Sequence, residues 1–160
     1  MSDNKTETQI EKYLTFVIED EIYGLEILKV REIVAMMHIS KVPLVPHYVK
    51  GVINLRGKII TVVDIREKLG MDSIEYNAHT TIIIVDIDDF YVGFIVDATS
   101  EVFKIESNKL MPPPKFGTHI DTSFLQSMAK IDEEHIVMIV DLEKLFNADE
   151  LEALKQTSDN

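Results

Sequence analysis

No cysteine occurs in the 160-residue chain, which excludes disulfide scaffolds, thiolate metal sites and thiol catalysis. Cations are scarce: 28 Asp and Glu face 16 Lys and Arg, a net charge of −12. A field of that sign repels phosphate backbones and anionic lipid surfaces, so nucleic acids and membranes are poor partners. No apolar run approaches the ~20 residues that a membrane helix needs. The opening "MSDNKTETQIEK" has no apolar segment of the secretory kind. These absences lead to the expectation of a soluble, cytoplasmic protein. What is present is a core: 46% of the residues are hydrophobic, enough for one domain or two very small ones.

The first eleven residues are polar and without periodicity, and read as a disordered tail. From Tyr13 the pattern alternates. Leu14, Phe16 and Ile18 share one face of an extended strand, Glu19-Asp20-Glu21 interrupts, and Ile22 to Ile27 returns. That is a β-hairpin with an acidic turn. "IIIVDIDDFYVGFIV", residues 82–96, repeats the arrangement around Asp88-Asp89. At a constant offset of 69, Gly24 aligns with Gly93, Leu14 with Ile83, Phe16 with Val85, Asp20 with Asp89, Glu32 with Glu101 and Pro43 with Pro112. Later in each unit, "GKIITVVDI" and "EHIVMIVDL" align Asp64 with Asp141, an offset of 77. The second unit therefore holds eight extra residues, which fit the loop-like "PPPKFGTHIDTSFLQ".

Each unit reads as a hairpin, an extended segment, a proline-marked turn and a final apolar strand. Units this small close most easily as barrels, which remove exposed edges. The expectation is mainly β: two tandem five-stranded barrel subdomains, at about 12–75 and 80–146, with a groove between them. Helix is short. "DIREKLG" has Asp64 as N-cap, Glu67 to complete a capping box and Gly70 at C′; "NADELEALKQ" repeats the box with Asn147 and Glu150 and predicts a C-terminal helix over about 147–156. "EILKVREIV" is ambiguous between a helical turn and a strand.

Each group of residues that could carry chemistry also has a plainer role. The glycines of "VKGVINLRGKIITVVDIREKLG" resemble a phosphate loop only superficially. Five residues separate Gly51 from Gly57, Ile59 stands where a hydroxyl is required, and a strand follows instead of a helix. A turn at Gly57-Lys58, using a positive φ, is the better reading. His38, His47, His79, His119 and His135 show no metal-ligand spacing. Paired carboxylates fall in predicted turns, where they are solvated, and recur at equivalent places in both units. No nucleophile elbow occurs. Nothing argues for an enzyme, a cofactor or a metal. Arg56 is balanced between a surface ion pair and an interface anchor. Ile27, Val30, Ile33 and Leu55 are open between core and partner surface.

"YGLEILKVREI", the signature "VKGVINLRGKIITVVDIREKLG" and the repeat ending in "MIVDLEKLF" together resemble the CheW family, the bacterial chemotaxis coupling proteins. The resemblance covers about residues 12–155, read as a single CheW-like domain of two SH3-like barrel subdomains around a hydrophobic core. It implies a non-catalytic adaptor linking methyl-accepting chemotaxis receptors to the histidine kinase CheA. It places the protein in the cytoplasm, at membrane-associated arrays, meeting the membrane only through receptors. Kinase ATP-site and receiver patterns are absent, and the chain opens on Met and closes on a polar tail. A stand-alone coupling protein is thus a better match than the related modules of CheA and CheV. By the resemblance, receptor-binding residues are Val30, Glu32, Ile33, Lys50, Gly51, Asn54, Leu55, Arg56 and Gly57, with Gly51 admitting the receptor backbone. The CheW-like domain of the kinase is expected to pair with a surface within residues 82–105. Thr61 departs from the family, which usually has proline there, and bears on strand-edge geometry. The competing reading is a small-molecule-binding β-barrel without a chemotaxis role.

Overall fold

A computed structural model describes residues 9–113 and 122–157. Ten strands dominate: β1 (Ile10–Ile18), β2 (Glu21–Glu26), β3 (Val30–Ala35), β4 (Val49–Leu55), β5 (Lys58–Asp64), β6 (Thr81–Ile87), β7 (Phe90–Val96), β8 (Ala98–Glu106), β9 (Leu125–Lys130) and β10 (Ile136–Val140). The helices are α1 (Ile65–Lys68) and α2 (Ala148–Thr157). The ambiguous "EILKVREIV" resolves into a single tight turn at Ile27–Lys29 followed by β3.

The strands form two five-stranded sheets, in the orders β8-β1-β2-β10-β9 and β3-β6-β7-β5-β4. We call them the first and the second sheet. The repeat is visible in them at residue level. β2 lies parallel to β10 with Gly24 opposite Ile139, and β7 lies parallel to β5 with Gly93 opposite Val62. The offsets of 69 and 77 relate the two pairs. Each sheet also carries a β-bulge at the equivalent place, in the β1–β8 and β3–β6 ladders.

Three expectations are corrected. The subdomains are not consecutive in the chain. Hairpin β1–β2 completes its sheet with β8, β9 and β10, while hairpin β6–β7 completes the other with β3, β4 and β5. The two repeats therefore exchange strands reciprocally. Offsets along a sequence identify equivalent strands but not which copy each one pairs with. The barrels are also not closed by continuous ladders. In each sheet a single isolated bridge, Ser40 to Val52 in the second and Met111 to Met128 in the first, ties the segment that follows one edge strand to the other edge strand. The tail, finally, is shorter than eleven residues, because Ile10 and Glu11 already pair with Glu106 and Ile105. Most of the segment expected to hold the extra eight residues lies outside the described residues.

Alternation assigns the side chains to three core layers. Phe16, Ile18, Leu25, Ile83, Val85 and Phe94 fill the space between the sheets. Ile53, Ile60, Val62, Ile82, Ile84 and Ile95 fill the concave side of the second sheet. Tyr13, Ile105, Ala129, Val137 and Ile139 do so for the first. The run Ile82-Ile83-Ile84-Val85 is apolar throughout because both of its faces are covered.

Both helices start as the sequence predicts. Asp64 Oδ1 accepts from the Glu67 amide, and Gly70 follows with φ +81°. The Glu67 side chain, however, turns to Lys50. At α2 the box is reciprocal: Asn147 Oδ1 accepts from the Glu150 amide at 2.8 Å, and Glu150 Oε1 from the Asn147 amide at 2.9 Å. Thr61 lies in β5, between β7 and β4, and is fully buried. It is an interior residue, not one at a sheet edge.

Candidate functional site

The β4–β5 hairpin closes on two residues, Arg56 and Gly57, both with positive φ (52° and 89°). Two successive positive values give a turn whose twist matches that of its strands. Asn54 stabilises it by accepting the Gly57 amide on Oδ1 at 2.8 Å. The left-handed backbone of Arg56 sends its side chain to β3. There Nη1 donates to Glu32 Oε2 at 2.9 Å, and Nη2 donates to Oε1. This two-pronged pairing fixes the plane of the guanidinium. Hydrogen bonding to Arg56 holds the Glu32 carboxyl below its usual range, and Glu32 raises the guanidinium in turn. The Arg56 side chain stays 70% exposed, so its outer edge is open to a partner.

Neighbouring residues extend the cluster. Arg31, beside Glu32, places its guanidinium carbon 5.3 Å from the centre of the Tyr91 ring. Lys58, next to Gly57, places Nζ 4.4 Å from the same ring. Both are cation–π contacts. Sequence reasoning missed Arg31, Lys58 and Tyr91. The available signal was the scarcity of cations: Arg31, Arg56 and Lys58 gather at this end of the hairpin and strand. Ile33 is 43% exposed on the neighbouring strand, and Leu55 is half-buried against the core of the second sheet. Val30 packs against the layer between the sheets. Glu32, Asn54, Arg56 and Gly57 thus meet at one end of the second sheet, with Leu55 beside them and Val30 and Ile33 on the adjoining strand.

Two expected site residues, Lys50 and Gly51, lie apart from the Arg56–Glu32 pair. Lys50 lies six positions up β4 from Arg56, about 20 Å at ~3.3 Å per residue. Its Nζ is engaged by Glu67 at 2.7 Å. Gly51 is buried at a bulge in β4. A Cβ on it would fall 2.1 Å from the Ser40 carbonyl oxygen, at φ +141°. The backbone that approaches Gly51 closely is therefore that of Ser40. The 82–105 range is also narrowed. Ile82 to Val85 and Val92 to Val96 are buried where they are hydrophobic, being parts of interior strands. Only the edge strand β8 presents a continuous accessible face, with Val102 46% exposed.

The equivalent turn of the first sheet, between β9 and β10, is built differently. Asp132 accepts the amides of Glu134 and His135 and meets the His135 ring at 2.8 Å. Its strands match those of the second sheet, but the Arg56–Glu32 pair has no counterpart there. Among the described residues no three His, Asp or Glu side chains gather to hold a metal. No described helix is long and apolar enough to cross a membrane.

Comparison with known proteins adds ancestry to this geometry. A family model described as the CheW-like domain matches residues 12–150. The chemotaxis protein CheW of Klebsiella aerogenes is 32% identical over 145 residues, spanning 91% of this chain and 87% of the relative. That of Rhizobium meliloti is 31% identical over 140 residues, 88% and 90% of the two chains. Among solved structures, the scaffolding protein TtCheW from Thermoanaerobacter tengcongensis superposes with a TM-score of 0.79 and 38% identity. The match covers 89% of this chain and 96% of that one.

Proposed function

The chain belongs to the CheW family of non-catalytic chemotaxis scaffold proteins, and from this premise we propose that it couples methyl-accepting chemotaxis receptors to the histidine kinase CheA. The observation that carries the receptor half is the Arg56–Glu32 pair. It is exposed, held in one plane, and present in only one of two otherwise matching sheets. A turn needed by the fold alone has no reason to differ from its counterpart in this way. The receptor's helical tip packs against Ile33, Leu55 and the exposed edge of Val30, and Arg56 sets its orientation, with Glu32, Asn54 and Gly57 holding Arg56 in place. Lys50 supports α1 and stands outside the contact.

The kinase half is assigned to the exposed face of β8, which the CheW-like domain of the kinase meets sheet to sheet. Two contacts of modest strength then act together through effective concentration. In the cell the protein works in the cytoplasm, held at receptor arrays by these partners.

The test is co-sedimentation with a receptor cytoplasmic fragment and CheA, with kinase activation as readout. Arg56→Glu is expected to lose receptor binding and kinase activation while its circular dichroism and unfolding midpoint stay as in the wild type. Wild-type receptor affinity in that variant overturns the assignment of Arg56.

A further inference from the structure

The two repeats end differently. After β10 the chain makes a tight turn at Leu142–Leu145, passes Phe146 and forms α2. After β5 it makes α1, passes Leu69 and forms no helix; residues 72–79 are exposed and lead into β6. The offset of 77 sets residues 71–80 against α2. One repeat therefore has a covering helix that the other lacks. Where α2 is present, its Leu151 and Leu154 join Tyr48 and Phe146 in the layer between the sheets. Glu150 accepts from the Tyr48 hydroxyl at 2.9 Å and from Lys68 Nζ at 3.3 Å. Tyr48 is left 7% exposed, Phe146 6% and Thr61 0%.

The matching surface of the other repeat is open. The Asp64 amide donates to the Tyr48 carbonyl at 2.9 Å and the Asp141 amide to the Phe124 carbonyl at 2.8 Å, so Phe124 stands where Tyr48 does. By the offset of 77, Leu69 stands for Phe146 and Met138 for Thr61. All three are only half-buried. Phe124, Leu69, Met71, Leu145 and Tyr23 line a groove of about 440 Å³. Its charged lining is Lys68 and Lys144, with no carboxylate, in a chain of net charge −12. Lys144 is exposed and forms no ion pair among the described residues. The wall of the groove is rigid. Arg66 of α1 donates to Asp97 through Nε at 2.8 Å and Nη2 at 2.9 Å, and Nη1 lies 3.7 Å from Glu19. The Asp97 carboxylate also accepts the Glu19 amide at 2.9 Å. This trio is a clasp that ties α1 to the β1–β2 turn across the seam between the sheets, and a wall fixed beforehand costs less ordering on binding.

The occupied copy shows what the open one fits. We propose that the groove seats an acidic amphipathic helix of a partner protein, one presenting the Glu-Leu-x-x-Leu pattern that α2 presents with Glu150, Leu151 and Leu154. The two leucines, one helical turn apart, pack on Phe124, Leu69 and Met71. The carboxylate faces Lys144 and Lys68, as Glu150 faces Lys68 on the covered side. The groove lies past the opposite end of β5 from Arg56 and does not depend on the coupling reading.

The probe is a fluorescent synthetic helical peptide carrying the Glu-Leu-x-x-Leu pattern, with a control peptide that has serine at both leucines. Wild-type protein is expected to bind the first and not the second, read by anisotropy. Met71→Glu puts a carboxylate into the groove and is expected to bind the peptide at least tenfold more weakly. Lys144→Glu, at an exposed position, is expected to keep the wild-type unfolding midpoint and to bind at least threefold more weakly, which decides the matter even if Met71→Glu does not fold. Neither residue touches the groove beside α2, so displacement of α2 by the peptide would leave both variants unaffected. Lys109→Glu, the same charge change in the turn after β8, is expected to keep wild-type affinity. Equal peptide binding by wild type and Lys144→Glu overturns the proposal. An equal loss in Lys109→Glu does so too, because the attraction then belongs to net charge alone, and so does binding of the serine peptide. A wild-type dimer in sedimentation that Lys144→Glu dissociates would give the groove to a second copy of this chain and likewise overturn the assignment to a partner protein.

Discussion

Gly51 and Gly57 bracket the same five residues, yet they answer to different constraints. At Gly51 any side chain collides with the Ser40 backbone and the φ of +141° is closed to L residues. Gly51→Ala is expected to cost about 2–4 kcal/mol, the range of a strained backbone with an added clash, seen as a lower urea midpoint. At Gly57 a Cβ meets nothing within 4 Å, and only the φ of +89° objects. Gly57→Ala is expected to cost about 1 kcal/mol, while moving Arg56 enough to weaken receptor binding. In sequence the two glycines are indistinguishable, since what separates them is the return of the chain at Ser40. Arg56 was legible as an open question, because its partner Glu32 lies 24 positions away on another strand. The Tyr91 ring between Arg31 and Lys58 was not legible, since it depends on which strands neighbour β7.

Hairpins and helix starts are written largely locally: the hairpins and the start of α2 match the sequence reading, while at α1 only the Asp64 half of the box forms, because the Glu67 side chain turns to Lys50. The acidic turns adopt paired positive φ values at Glu19 and Asp20, and at Asp88 and Asp89. The box of Asn147 and Glu150 starts α2 as expected. This helix is tied down at several points. Leu154 is buried, Tyr48 donates to Glu150 Oε2 at 2.9 Å, and Lys68 reaches the same oxygen at 3.3 Å. Asn147→Ala is expected to cost about 1 kcal/mol, measured by thermal unfolding, with faster amide exchange confined first to α2. The clasp yields a pH prediction. Burial pushes the Asp97 carboxyl up, but Arg66 and the Glu19 amide outweigh it and hold it below the ordinary value. A depressed carboxyl stabilises the fold above its unfolded value, near pH 4. That contribution is lost as pH falls through the folded value. Urea unfolding from about pH 6 to about pH 3 is therefore expected to weaken wild type more steeply than Asp97→Asn. Equal slopes would show that the clasp has no part in acid stability.

Over the whole molecule the repeat predicted the number of sheets, their strands and their equivalence, but not the exchange between them. Pairing each hairpin with its own repeat or with the other satisfies the same alternation and the same turns. The choice rests on long-range contacts such as Tyr13 with Phe103 on β8. Exchange has a measurable signature. A chain divided in the exposed stretch at 73–79 gives two halves, each with three strands of one sheet and two of the other. Each half alone is expected to lack a cooperative unfolding transition. Mixed, the two are expected to form a stoichiometric complex with the spectrum of the intact protein. A native-like transition in either half by itself would contradict the reciprocal pairing.

The exchange also sets an order of events on the ribosome. All strands of the second sheet have been synthesised once Val96 has emerged, whereas the first begins at Ile10 and waits for Val140. Hairpin β1–β2 is thus made first and housed last, with Leu14, Phe16 and Ile18 lacking their full cover while roughly 40 further residues are added. At cellular translation speeds that interval is on the order of seconds. Hairpin β1–β2 is therefore the part of the nascent domain most in need of a chaperone, and a slower passage through β8 to β10 lengthens its exposure.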